Sequence, residues 1–423
     1  MHYKKTILKN GLRIITAPME GTETATVLVM VGVGSRYETE EQAGISHFIE
    51  HMFFKGTKKR PDALSISEEL DSVGGEFNAF TGKDKTAYYA KMDAAHLDTA
   101  LDVIADIYLN SKLEVKEIEK EKGTIIQEIN MYEDMPMKNV EDVFENLLYE
   151  KQNLGREIIG YKKTVSGFKR QDFLDYMKRF YVANNTVVCV AGKIDEKSVA
   201  EKVEKYFSQM KKAREPEIEK TIEKQNAPKV KIKNKKTDQT HLILGVRAYN
   251  IFHPDRYALN LLSVILGGNM SSRLFIQVRE RQGLAYYIRS GVENYQDVGY
   301  LAAQSGVEHK NLEKTIQTIL KEFKKISRRK VSEKELQKAK DYIKGKMVMG
   351  LESSESVASF LIEQEIEKNE IETPTQIFEK IDKVSAEDIL RVARDIFVPE
   401  KLNLAVIGPH KNNNGKLEKL LKL

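Results

Sequence analysis

A stretch of the chain around residue 180 returns, changed but recognisable, 216 positions later. Asp172-Phe173-Leu174 and Val188-Cys189-Val190-Ala191-Gly192 have counterparts in Asp388-Ile389-Leu390 and Leu404-Ala405-Val406-Ile407-Gly408, and 388−172 and 408−192 are both 216. Phe180-Tyr181-Val182 meets Ile396-Phe397-Val398 in the same register. A strand at Leu242 to Val246 followed by a helix at Tyr257 to Leu266 repeats a strand at Val27 to Val33 and the helix that follows it. A constant offset of this kind marks a duplicated domain. The 423 residues suffice for two domains with cores of their own. Between the copies, Lys211 to Asn226 is charged, carries Pro216 and loses its apolar periodicity, with Pro228 just beyond. It reads as a linker. Domains are therefore expected at 1–212 and 229–423, joined by 213–228.

Within the first copy, Tyr3 to Leu8 and Leu12 to Thr16 flank Lys9-Asn10-Gly11 as a hairpin. Pro61 to Val73 reads as a helix, and Gly74 to Gly82 and Thr86 to Lys91 as strands, with Lys83-Asp84-Lys85 between them as an exposed turn. Helices are expected at His96 to Ser111, from Glu114 to about Met131 with Asp134 and Pro136 as its stop, and at Val165 to Val182. Gly32-Val33-Gly34 after a strand has the shape of a dinucleotide-binding turn. The following Ser35-Arg36-Tyr37-Glu38 supplies neither the third glycine nor an immediate helix, which weighs against that function.

Composition removes other classes. A net charge of +5 is small beside 68 basic and 63 acidic residues, so mixed solvated helix faces are expected and nucleic acid is not implied. Cys189 is the only cysteine, which rules out an intrachain disulfide and a multi-cysteine metal site. The apolar runs are too short to span a bilayer. The start, Met1-His2-Tyr3-Lys4-Lys5-Thr6-Ile7, lacks a signal-peptide core, so a cytoplasmic protein without membrane attachment is expected.

The chemistry concentrates in Gly44-Ile45-Ser46-His47-Phe48-Ile49-Glu50-His51-Met52-Phe53-Phe54. On a helix, His47 and His51 stand one turn apart on one face, with Glu50 at its edge. Two such imidazoles can share a cation at about 2.0–2.1 Å each, and the carboxylate can take a proton from water held there. A lone histidine on an apolar helix is usually a hydrogen-bonded core residue; two at this spacing with glutamate between them make H-x-x-E-H, the reverse of the commoner zinc peptidase motif. A hydrolytic zinc site needs a third protein ligand. The helix from Glu114 offers Glu121 and Glu128, seven residues apart and on roughly one face, and Glu128 lies in the apolar stretch Gly123 to Ile129, where an unpaired carboxylate is costly. The second copy reads Ala258-Leu259-Asn260-Leu261-Leu262-Ser263-Val264-Ile265 at the equivalent helix and has lost all three motif residues.

His47-Phe48-Ile49-Glu50-His51 followed by Glu128 resembles the inverted-motif zinc peptidases of the pitrilysin and insulin-degrading enzyme family, with the size and layout of mitochondrial processing peptidase subunits and their bacterial relatives. The resemblance implies an α+β fold of two duplicated domains, each a largely antiparallel sheet packed with helices, together forming half of a clamshell chamber. It implies one Zn2+ per chain held by His47, His51 and Glu128, Glu50 as general base, and Glu121 supporting the site. Gly74 to Thr81, with Asn78, Ala79 and Phe80, is similar to the family's substrate-binding edge strand. Leu274 to Tyr286 resembles its arginine–tyrosine segment, in which Arg279 would hold substrate carbonyls and Tyr286 would donate to a developing oxyanion. Phe48 and Phe80 are expected to line an apolar pocket near the zinc. The implied function is an endopeptidase acting on unfolded or targeting-peptide-like segments inside a homodimer. The competing expectation is a non-catalytic structural subunit of the same fold.

Overall fold

A computed structural model describes residues 1–214, 216–411 and 414–423. In chain order the first half holds β1 (Lys4–Ile7), β2 (Arg13–Pro18), β3 (Thr24–Val31), α1 (Ile45–Phe53), α2 (Ala63–Asp71), β4 (Glu76–Thr81), β5 (Thr86–Asp93), α3 (Leu97–Asn110), α4 (Val115–Glu133), α5 (Pro136–Tyr149), α6 (Lys162–Gly167), α7 (Arg170–Phe180), β6 (Thr186–Gly192) and α8 (Glu196–Phe207). The second holds β7 (Lys229–Asn234), β8 (Thr240–Ala248), α9 (Arg256–Gly267), β9 (Ala285–Asn294), β10 (Gly299–Val307), α10 (Leu312–Ile326), α11 (Glu333–Gly350), α12 (Ser354–Lys368), α13 (Pro374–Lys383), α14 (Ala386–Ile396) and β11 (Leu402–Gly408).

Among the described residues the strands form a six-stranded sheet, β1-β2-β6-β3-β5-β4, and a five-stranded one, β7-β11-β8-β10-β9. The second order is the first without β1. In both sheets one neighbouring pair is parallel, β2 with β6 and β7 with β11, and the remaining pairs are antiparallel. The offset seen in the sequence is carried through: α7 and α14, and β6 and β11, begin and end 216 positions apart. Asp172 and Asp388 do the same work in both copies, accepting the backbone N–H of Lys169 and of Ser385 to close a helix N-terminus.

The chain forms two compact units. One comprises Met1–Asn130, Arg156–Glu219 and Val348–Thr373; the other comprises Met131–Gly155, Lys220–Met347 and Pro374–Leu423. These units are cut differently from the contiguous segments 1–212 and 229–423 expected from sequence, because each contains a helix from the other half. In the first unit α12 packs Val357, Ala358, Leu361 and Ile362 onto Ile15, Leu28, Met30 and Cys189 of the sheet. In the second α5 does the same with Val140, Phe144 and Leu148 against Ile243, Ala405 and Ile407. The described residues between α8 and β7 carry no helix or strand, and Glu215 of the expected linker lies outside the described residues.

Three local expectations are revised. Val165 to Val182 is not one helix: Phe168 and Lys169 are extended, with Phe168 buried against Phe48 and Phe173 while Asp172 caps the new start. Pro136 is more than a stop, since it opens α5 at a first-turn position where its missing N–H costs nothing. Lys83 and Asp84 are buried rather than exposed, with Lys83 Nζ donating to the Arg156 carbonyl at 2.6 Å and Asp84 paired with the buried Arg36. No helix among the described residues is long and apolar enough to cross a membrane.

Candidate metal centre

α1 is a helix with its ionisable residues on one side. Ile45, Phe48, Ile49, Met52 and Phe53 are buried, while His47, Glu50 and His51 are half-exposed on the opposite face, at the i, i+3, i+4 spacing that aligns side chains. Its start is fastened by the buried Glu38, whose two oxygens accept the backbone N–H groups of Gly44 at 2.8 Å and Ser46 at 2.9 Å. Gly44 has φ of 96°, and a Cβ there would lie 2.7 Å from the Ile159 carbonyl oxygen, so only glycine suits this entry to the helix. α4 buries Ile118, Glu121, Ile125 and Ile129 along one stripe, and Glu128 lies one turn past Ile125.

These two helices bring the sequence-separated donors together. One ligand atom from each of His47, His51 and Glu128 lies within 4.8 Å of the others. His47 Nε2 is 3.7 Å from Glu128 Oε1, and His51 Nε2 is 3.5 Å from Glu128 Oε2. Two ligands each about 2.0–2.1 Å from a tetrahedral zinc stand about 3.4 Å apart, so the spacing and the nitrogen–oxygen donor set fit that ion. Behind the triad, His51 Nδ1 meets Glu121 Oε1 at 2.8 Å. Lys55 Nζ takes the other Glu121 oxygen, also at 2.8 Å. This carboxylate is almost wholly buried yet fully engaged.

The electrostatics follow from that crowding. Burial, reinforced by the neighbouring His51 charge, pushes His47 down to about 4. Burial also opposes charge on His51, but its bonds to Glu121 and Glu128 win and raise it to about 9. Burial works against the Glu121 and Glu128 carboxylates too; contacts with His51, joined by Lys55 or His47, outweigh it and hold both below the usual range. Glu50 makes no hydrogen bond to this network but feels the charges of His51 and Glu128. Burial raises its pKa, against the opposing hydrogen bond in which Thr81 Oγ1 donates to Glu50 Oε2 at 2.5 Å.

Thr81 ends β4, the edge strand of its sheet, which among the described strands pairs with β5 alone. Along β4 alternate side chains share a face. Phe77 and Thr81 lie on the face toward α1, where Phe77 stacks on Phe54 with centroids 6.1 Å apart and Thr81 reaches Glu50. Asn78 is exposed, Ala79 is half-buried, and Phe80 points to the other face, against the core cluster under α12. Neither Phe80 nor Phe48 lines a pocket at the triad. Phe48 is fully buried, with its ring 4.8 Å from Phe173, because it follows His47 by one position and so turns into the core. In the second unit, Arg279 lies in the π-helical stretch Phe275–Glu280, its guanidinium 5.1 Å from the centroid of Tyr286, which is 77% exposed. Lys55, Thr81 and Glu38 also shape the site without standing out as candidates in the sequence. Lys55 was detectable, being four residues past His51, and Thr81 shares the alternation of Phe77 and Ala79.

Two histidines and a glutamate gathered in one copy of a duplicated α+β fold, with no such cluster in the other copy among the described residues, describe a metallopeptidase-class protein. The chain belongs to peptidase family M16. The family model described as Insulinase (Peptidase family M16) matches residues 13–162, and that of the Peptidase M16 inactive domain matches 167–343. An uncharacterized zinc protease YmxG of Bacillus subtilis is 36% identical over 411 residues, covering 97% of this chain and 99% of the relative. An uncharacterized zinc protease of Rickettsia felis is 37% identical over 415 residues, covering 95% and 97%. A protease from Helicobacter pylori, solved by crystallography, superposes with a TM-score of 0.89 at 26% identity, over 96% of this chain and 99% of that one.

Proposed function

We propose that this chain is a zinc-dependent endopeptidase that cleaves unfolded peptides. The observation that carries this reading is the meeting of His47, His51 and Glu128 within 4.8 Å, with Glu50 beside them and outside the ligand set. A bound zinc would supply Lewis acidity, polarising the scissile carbonyl and lowering the pKa of water toward about 7.

The chain's own residues do the rest. Glu50 accepts a proton from the attacking water as the new C–O bond forms, and returns it to the amine nitrogen as the C–N bond breaks. Its raised pKa suits a base that must also release its proton. Glu121 fixes the His51 ring by holding Nδ1–H, which leaves Nε2 for the metal. A peptide adding to the free edge of β4 would be bound through its main chain, which tolerates varied sequences and demands an extended, unfolded substrate. Arg279 and Tyr286 are assigned to the substrate's carbonyl oxygens, as cation and hydroxyl donor. The working form in this reading is a cytoplasmic homodimer enclosing a chamber, with one zinc per chain.

The test is mass spectrometry of an unfolded peptide library after incubation with the zinc-loaded chain, beside E50Q and a chelator-treated sample. Cleavage confined to the zinc-loaded parent supports the reading. Stoichiometric zinc with no cleavage by the parent would point instead to a structural subunit.

A further inference from the structure

We propose that the first unit carries a second binding site, separate from the metal centre, for a free fatty carboxylate. A cavity of about 880 Å³ opens among α3, α7, α8 and the segment after α1, and His47, Glu50, His51 and Glu128 take no part in its lining. That volume lies in the range of about 300–1,000 Å³ that accommodates small organic molecules.

The ligand class follows from what the walls offer and what they withhold. Leu109, Leu174, Met177 and Met210 are half-buried along the cavity and present flexible apolar surface. The tyrosine hydroxyls around them are already engaged. Tyr108 meets Thr186 at 2.8 Å, Tyr206 donates to Asp102 at 3.1 Å, and Tyr181 meets Tyr88 at 3.4 Å. Among the described neutral polar side chains of the wall only the exposed Gln209 has no hydrogen-bond partner, so a sugar or base would find few groups to meet, whereas an alkyl chain needs none.

The charge around the cavity is positive. Its two carboxylates are neutralised from within the fold. Asp106 accepts from Thr57, Arg60 and Asn110 at 2.6–2.9 Å, and Asp102 accepts from Arg60 at 2.5 Å and also from Lys59. Lys58, Lys178, Lys205 and Lys211 stand exposed on the rim, and among the described residues none has an ion-pair partner. Four uncompensated ammonium groups above an apolar floor complement one molecule with an acidic head and a hydrocarbon body. The lysine stems extend the apolar wall, and their amines meet the head at the water boundary.

The occupant also has a physical route to the rest of the unit. Tyr108 and Tyr181 of the cavity wall pack on Phe53 of α1, with centroids 5.8 and 5.5 Å away, three residues past Glu50.

The test is isothermal titration of the full chain with dodecanoate below its micellar concentration, beside dodecanol and dodecylammonium. Saturable one-to-one binding is expected for dodecanoate, at least tenfold tighter than for either control. The double variant K178E/K205E, whose side chains are exposed, should fold, retain zinc and bind dodecanoate at least tenfold more weakly. Equal affinity for the alcohol or the amine, unchanged binding by the double variant, or no saturable binding of dodecanoate would each overturn the proposal. None of these outcomes depends on peptidase activity.

Discussion

Lys55 Nζ and Glu121 Oε2 are 2.8 Å apart, and they fix a carboxylate whose other oxygen holds His51 at the same distance. The relay runs outward from the triad through a buried group to a half-buried cation. Cutting it at Lys55 leaves Glu121 with a single anchor, so the imidazole it orients loses definition. K55M is expected to weaken zinc binding by about 10–100-fold, the usual effect of removing an outer partner of a metal ligand. K55R should keep most of the affinity. Competition with a chromophoric chelator measures both, and K55M within twofold of the parent would show that Glu121 needs no second partner.

In the proposed mechanism Glu50 and Thr81 separate binding from turnover. E50Q keeps the ligand set and should bind zinc normally, while kcat falls by about 10²–10⁴-fold, as expected when a general base is lost. T81V removes only the hydrogen bond that opposes the burial-raised pKa of Glu50. Without it the carboxyl titrates higher, so the acid limb of the kcat/KM profile should move to higher pH while the plateau changes little. An unmoved limb would place the titrating base elsewhere.

Metal uptake should depend on pH in a defined direction. Zinc takes neutral imidazole, and in the metal-free chain His51 holds its proton up to about pH 9 through Glu121 and Glu128, in spite of burial. His47, pushed down to about 4, is neutral well below pH 7. Protons thus compete at one site, and apparent zinc affinity should rise about tenfold per pH unit from pH 6 to 9, then level off. Chelator competition across that range would reveal a flat profile if His51 were already neutral.

The candidate metal helix is more legible in the sequence than its surroundings. The spacing of His47, Glu50 and His51 is a property of one helix, and the 216-residue echo between α7–β6 and α14–β11 survives because caps and buried strands repeat their residue types. Phe48 and Phe80 differ from their expected placement at an apolar pocket because apolar character says a side chain is covered, not by what. One faces Phe173, the other the α12 cluster. For the same reason the helix exchange was invisible: the apolar stripes of α5 and α12 require a sheet to cover, and either sheet satisfies the pattern.

That exchange predicts how the chain can be divided. Val357, Leu361 and Ile362 of α12 are at most 3% exposed in the first unit, and burying three such side chains contributes about 5–9 kcal/mol. The whole stability of a domain is about 5–15 kcal/mol. Glu365 of the same helix, fully buried, adds ion pairs to Lys5 at 2.9 Å and Arg13 at 3.3 Å. A fragment of residues 1–212 lacks all of this, and residues 229–423 alone lack Val140, Phe144 and Leu148 of α5. Neither fragment should unfold cooperatively by calorimetry, although the first contains every proposed zinc ligand. Residues 1–212 and 213–423 produced together should each recover the missing helix and restore zinc binding. E365A in the intact chain should be milder, costing no more than about 3 kcal/mol, since Lys5 and Arg13 retain some contact with water. A sharp melting transition from residues 1–212 alone would mean that its sheet is covered without α12.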